Sequence, residues 1–481
     1  MYALDDASVS VSERRVRTGW MVAALMLGVL VYGILATVVT PALTLLQHEL
    51  HTSVGDVTWL LTAYLLAAAV GTAVLGRLGD MFGKRRMLLV SLALMAAGTL
   101  ISAVGGVLPV VVAGRVLQGM AGGLLPLAFA IIRDELPHER VGHAIGAVSA
   151  MIGVGAGVGV ILPGLVAAGP GWQWLFWIPL ALTVIAIVGT RVFIAESPVR
   201  PGGRVNWVNA ALLTIGIAAL LIALSEGSSW GWTSGPTLGL LLGGAAVCAL
   251  WAVAESISTR PLINVSLMRV RALWTTNITA FLLGAAMFSS TAVYPIFAQL
   301  PTSTGFGYGA TTLVCGLYML PYSVAIAVAG SLAGRIARGL GFLAALVAGC
   351  VICAVGSGYM AVRYHHPLDM MISLAVFGFG LGIATSALAT VVVHAAPGGQ
   401  VGETTGMNQV IRMIGGAVGT QVVSTLIASN RHGGVPTLAG FTKSYVAEVV
   451  FMILAAAAAL LATTSGRLRT TEVVPHAGSG L

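Results

Sequence analysis

The 481-residue sequence predicts an all-α polytopic membrane protein, built as two six-helix bundles with two extra linker helices between them, about 14 transmembrane helices in all. Three observations predict it. First, 57% of the residues are hydrophobic and only 8% charged, against about 25% charged in soluble domains, and the mean hydropathy is +0.96. Second, apolar runs long enough to cross a bilayer, about 20 residues each, recur along nearly the whole chain. Third, basic residues gather in alternate breaks between those runs. This composition excludes a secreted disulfide scaffold, a disordered chain and a nucleic-acid binder, and leaves little room for a soluble catalytic domain. The net charge of +8 is therefore a topology signal.

In chain order, the spans fall at about 20–45, 55–76, 86–106, 108–132, 142–168 and 173–194, then at about 206–225 and 236–255. Six more follow at about 272–298, 309–333, 340–362, 368–393, 404–429 and 444–465. Arg14, Arg15 and Arg17 precede an apolar run too long for a signal-peptide core, so the first span is expected to stay uncleaved. With the N-terminus inside, the inner breaks collect Arg77, Lys84, Arg85, Arg86, Arg133, Arg140, Arg191, Arg200, Arg204, Arg260, Arg269, Arg271, Arg335, Arg338, Arg467 and Arg469. The outer breaks keep Arg363, Arg431 and Lys443. That asymmetry predicts a multi-pass protein of the cell membrane with both termini cytoplasmic. The expected divisions are a tail at 1–18, a six-helix bundle at 19–197, two additional helices at 198–260, a second bundle at 261–465 and a tail at 466–481. Cys248, Cys315, Cys350 and Cys353 all lie in apolar runs and read as packing residues.

The break after the second span reads G-R-L-G-D-M-F-G-K-R-R, Gly76 to Arg86, and a weaker echo, G-S-L-A-G-R-I-A-R-G-L-G, begins at Gly330. Both follow the second helix of a six-helix set. Duplicated halves facing one another across a central cavity are a recurring transporter plan. With these residues the sequence resembles the major facilitator superfamily, in particular its fourteen-span drug:proton antiporters. The resemblance implies a gate at Gly76, Asp80, Gly83, Lys84, Arg85 and Arg86, in which the acid at Asp80 caps a helix and pairs across the two halves on the cytosolic side. The residues alone also fit a basic loop that only sets orientation.

Arg115 and Gln118 match the family's R-x-x-Q-G pattern, which implies a part in proton coupling or cargo contact. An arginine inside an apolar helix either faces a cavity or partner or snorkels to the headgroups. In span five, Gly153, Gly155, Gly157, Gly159, Pro163 and Gly164 resemble the exporters' antiporter motif, with the proline displaced by three residues. They read equally as a small-residue face for close helix packing. Span thirteen carries N-Q-V-I-R from Asn408, so Asn408, Gln409 and Arg412 join Arg115 and Gln118 as candidates for a coupling or cargo cavity.

The sequence departs from the family in span one, where the usual aspartate is Leu35. Most acids fall in loops or at span ends, and Glu448, about a turn inside the last span, is expected to snorkel at the surface. A cavity bordered by Arg115 and Arg412 favours anionic or strongly polar cargo. The expected function is secondary active export of amphipathic small molecules by proton antiport. Export of an anionic or lipid-like metabolite is the alternative, and a non-transporting sensor or scaffold a third. No enzymatic activity, cofactor, metal or nucleotide-binding loop is expected. The expected partners are a small-molecule cargo, protons and the lipid bilayer, with no nucleic acid, and the protein is expected to be a monomer.

Overall fold

The computed structural model describes residues 3–463 except 53, 58, 167–170, 197–206, 259–270, 397–399 and 433–434. The expected tail 466–481 and the basic residues Arg200, Arg204, Arg260, Arg269, Arg467 and Arg469 lie outside the described residues. The helices are α1 (Ala3–Thr37), α2 (Val39–Glu49), α3 (Val54–Val57), α4 (Trp59–Phe82), α5 (Lys84–Val104), α6 (Leu108–Met120), α7 (Leu124–Glu135), α8 (His138–Val166) and α9 (Trp174–Phe193). They continue as α10 (Trp207–Trp230), α11 (Gly235–Ile257), α12 (Arg271–Gln299), α13 (Thr312–Leu340), α14 (Phe342–Val362), α15 (Pro367–Ala395), α16 (Val401–Ser429) and α17 (Leu438–Thr463). A two-residue pairing of β1 (Arg431–His432) with β2 (Val435–Pro436) precedes α17.

Among the described residues, 13 helical stretches are long and apolar enough to cross a membrane, and α10 adds a shorter apolar run, Val208–Leu224. The protein is thus an all-α, multi-pass membrane protein with about 14 spans. Several boundaries depart from the sequence reading. Helix α4 runs to Phe82 and α13 to Leu340, six and seven residues beyond the expected 76 and 333, so the runs from Gly76 to Phe82 and from Gly330 to Leu340 are helical instead of lying in breaks. Helix α1 starts at Ala3, so most of the expected N-terminal tail is helical. The fourth span is two helices, α6 and α7, joined by a 3₁₀ turn at Ala121–Gly123. The last span starts at Leu438 instead of at about 444, so Lys443, expected in an outer break, lies inside the helix.

Helices α1 to α9 pack mainly on one another, and so do α12 to α17. The two groups meet through α8 against α13 and α15, and through α16 against α4 and α7. At the end of the molecule that carries the α4–α5 turn, here the basic end, an apolar cluster runs without interruption from Leu125, Phe129 and Val141 of the first group to Val393, Ala396 and Val401 of the second. The hairpin of α10 and α11 lies against the seam, because α10 packs on both α4 and α16. Leu213 and Ile217 join Ala69 and Val410 there. A buried bond from Asn209 to Glu255 ties the two hairpin helices together. Large apolar side chains such as Val184, Val192, Leu242, Val253 and Ile453 point outward, as a lipid-facing surface requires and a water-facing one would not tolerate in such number.

Candidate functional site

The basic end is where the candidate gate residues meet the other half. Gly83 takes φ +107 and turns the chain from α4 into α5, a backbone conformation that glycine adopts at no steric cost. A β-carbon on Gly76 would meet the Gly402 carbonyl at 2.6 Å, so these two glycines set the closest approach of α4 and α16. That approach delivers Asp80, 1% exposed, to the N-terminus of α16, where its carboxylate accepts from the Gly402 and Glu403 amides at 3.3 and 2.9 Å. These are amides that an isolated helix leaves unpaired, at the positive end of its dipole. Two more bonds cross the seam: Arg77 pairs with Glu403 at 2.9 Å, and Arg133 donates to the Ala396 carbonyl at 2.8 Å.

The remaining basic residues of the gate motif stay within their own half. Lys84, 1% exposed, pairs with Asp134 at 2.5 Å. Arg85 donates its amide to Glu196 and its guanidinium to the Arg191 carbonyl, while the exposed Arg86 sits 3.7 Å from the same Glu196.

The glycines of α8 divide between two partners. Gly155 and Gly159 face α1, where a β-carbon would meet Ile34. Gly153, Gly157 and Gly164 face α13, against Ile326, Ser323 and Leu313. Pro163 lies inside α8, which continues to Val166. The sequence echo has a structural counterpart: Gly76 opposes Gly402, and Gly330 opposes Gly146, where an added β-carbon would lie 2.5 Å from the Gly330 carbonyl. The counterpart of Asp80 in the echo is Gly334, which packs on His143, so only one of the two related crossings carries a carboxylate.

In the membrane interior, Arg115 is fully buried and does not snorkel. Its guanidinium donates to the Leu60 carbonyl at 2.9 Å, the Leu35 carbonyl at 2.9 Å and Gln118 at 2.7 Å. It also lies 4.1 Å from the Tyr64 ring centroid, a favourable stacking of cation on aromatic face. None of the three acceptors is a carboxylate. At the position of the family's aspartate, the main chain of Leu35 serves instead of a side chain. Gln118 in turn donates to Thr99 and Ser102 of α5. Nη2 of Arg115 is buried and has no protein partner.

Arg412 is half-buried on α16, and its electrostatic neighbours are Tyr32 of α1 and Tyr322 of α13. Tyr32 and Tyr64 stand 6.3 Å apart. The two arginines are therefore linked by two tyrosines rather than facing each other across one open cavity: Arg115 sits behind Tyr64, and Arg412 is the more accessible cation. Asn408 is buried and donates to Asn277 at 2.9 Å, which ties α16 to α12, and Gln409 is buried beside it. Tyr32 carried no motif and was not legible as part of this array.

Glu448 corrects the sequence reading. It does not snorkel: it is 0% exposed, about 15 Å along α17 at 1.5 Å per residue, and accepts from Ser357 of α14 at 2.7 Å. The early helix start is the physical reason, since it moves Glu448 from the span's edge to its middle.

The chain is 28% identical over 410 residues to the tetracenomycin C resistance and export protein of Streptomyces glaucescens, covering 84% of this chain and 75% of that one. It is 29% identical over 425 residues to the probable actinorhodin transporter of Streptomyces coelicolor, covering 85% and 72%. The fold matches the crystal structure of the human organic anion transporter MFSD10 with a TM-score of 0.63 at 17% identity, over 91% of this chain and 99% of that chain. The Major Facilitator Superfamily model matches residues 25–420. With its helical plan and its two halves joined at a glycine-lined seam, the chain belongs to the Major Facilitator Superfamily of membrane transporters.

Proposed function

We propose that this transporter is a secondary active exporter of amphipathic small molecules, working by alternating access with proton antiport, and that its cargo carries an anionic or strongly polar group. Arg412 carries the reading. A half-buried guanidinium at the seam between the halves, flanked by two phenols, is a cation held in a low-dielectric region. Such groups mark cargo pathways, and a planar fork of donors suits carboxylate, phenolate or quinone oxygens. The names of the antibiotic-export relatives support the outward direction. In this reading the six-helix units are 19–197 and 261–465, and the basic end with both termini is cytoplasmic. Opening that end requires parting Asp80 from α16, Arg77 from Glu403 and Arg133 from Ala396. The protein acts as a monomer.

Vesicle flux under an imposed pH gradient tests the proposal, with ethidium as a cationic probe and carboxyfluorescein as an anionic one. Gradient-driven movement of carboxyfluorescein is expected. Movement of ethidium alone would reject the anionic cargo while keeping export, and movement of neither would reject this reading of Arg412.

A further inference from the structure

A buried acid lies in the second half, away from the central arginines. Oε2 of Glu448 accepts from Ser357, and Oε1 is buried with no protein partner. The groups around it come from every neighbouring helix. Helix α12 brings Tyr294, α14 brings Ser357 and Cys353, and α17 itself brings Tyr445 one turn away. Helix α16 contributes the apolar Val423 and Ile427 to the same core. Beyond them stands Tyr322 of α13, an electrostatic neighbour of both Glu448 and Arg412. Among the described residues the titratable neighbours are thus phenols and a thiol, and none of them is a cation.

The hydrogen atoms can be placed. Ser373 donates to the Gly356 carbonyl at 2.8 Å, so the Tyr294 hydroxyl, 2.7 Å away, donates to Ser373 and has no hydrogen to offer Glu448. The Tyr445 hydroxyl is buried without a partner. An ionised carboxylate here would have one hydroxyl donor and no counter-ion, a burial that costs several kcal/mol or more, whereas a neutral acid costs far less. Pro295, next to Tyr294, removes one rung from the α12 hydrogen-bond ladder and gives this wall of the cluster a place to flex.

We propose that Glu448 is the proton-binding group of the transport cycle, neutral while this cluster is closed and ionised when movement of α12 and α17 admits water to Oε1. The only bond that changes is the O–H bond of the carboxyl: its proton passes to water at the basic end when the cluster opens with that end, and a proton taken from water on the opposite face as the cluster recloses restores it. The coupling is conformational, because Glu448 does not touch the central seam. The closed cluster accompanies the closed basic end, so protonation favours that state. The inference deepens the antiport reading above and rests on it.

The test uses the purified full-length protein and Glu448→Gln, which keeps the shape and an acceptor for Ser357 but cannot ionise. At neutral pH the wild type should show an infrared carbonyl band of a protonated carboxyl that is missing from the variant. In vesicles, with whichever of ethidium and carboxyfluorescein the wild type moves, the variant should keep exchange down the probe's own gradient within about twofold and lose accumulation driven by a pH gradient. Identical infrared spectra, or gradient-driven accumulation at the wild-type level in the variant, would overturn the proposal. Should Glu448→Gln fail to fold, Ser357→Ala serves: loss of the donor should shift the same band, and an unshifted band counts against the assignment. Wild-type flux indifferent to pH overturns antiport and this inference together, and the band then shows whether Glu448 is nonetheless a buried neutral acid.

Discussion

Replacing Asp80 with asparagine should loosen the closed basic end without unfolding the protein. The carboxylate accepts from two amides at the start of α16, and asparagine has one oxygen to offer, with an NH₂ group facing the second amide. Hydrogen bonds to a charged acceptor contribute about 1.5–3 kcal/mol each. Losing the charge and one bond should therefore shift the closed-to-open ratio by about 10- to 150-fold, at 1.4 kcal/mol per tenfold. Arg77–Glu403 and Arg133–Ala396 remain, so the end should still close some of the time. Arg140 and Arg338 are both exposed at this end, on opposite halves. Spin labels at cysteines introduced there, read by pulsed electron resonance, should show the short-distance population give way to a longer one. A folded Asp80→Asn protein with an unchanged distance distribution would refute the role given to this carboxylate.

Two leucine substitutions on α8 should separate the partners of its glycine stripe. Gly146→Leu pushes into the Gly330 carbonyl of the other half and should open the basic end in the same spin-label measurement, whereas Gly155→Leu pushes into α1 of its own half and should lower the melting temperature instead. Arg412→Gln should abolish transport of carboxyfluorescein with normal membrane insertion, as read by vesicle flux. Arg115→Ala removes three hydrogen bonds. It should lower stability, since each bond to the charged donor contributes about 1.5–3 kcal/mol and only the desolvation cost of the buried guanidinium opposes them, and it should eliminate flux; wild-type flux would show that the buried guanidinium has no part in the cycle.

Much of the fold was legible because membrane insertion is read from local properties of the chain. Apolar runs and alternating basic breaks need no knowledge of packing, and the Gly76-to-Arg86 run announced both the tight turn at Gly83 and a carboxylate close to basic residues. The site was less legible. Nothing in the spacing of Gly153 to Gly164 says that alternate members of the stripe face different halves. No motif marks Tyr32, and the polar residues around Lys443 hid the true start of the last helix and with it the depth of Glu448.

The one-dimensional order of residues determined by itself that this chain is an all-helical membrane protein with a duplicated plan, since hydrophobic length and charge are summed along the chain. Only the tertiary structure decided which polar groups find partners. A helix must satisfy its own backbone in lipid, but whether a side chain meets lipid, a carbonyl or another helix depends on the rotation and approach of its neighbours. That is why Arg115 rests on the main chain of Leu35 and Leu60, and why Glu448 lies sealed among phenols instead of reaching for the headgroups.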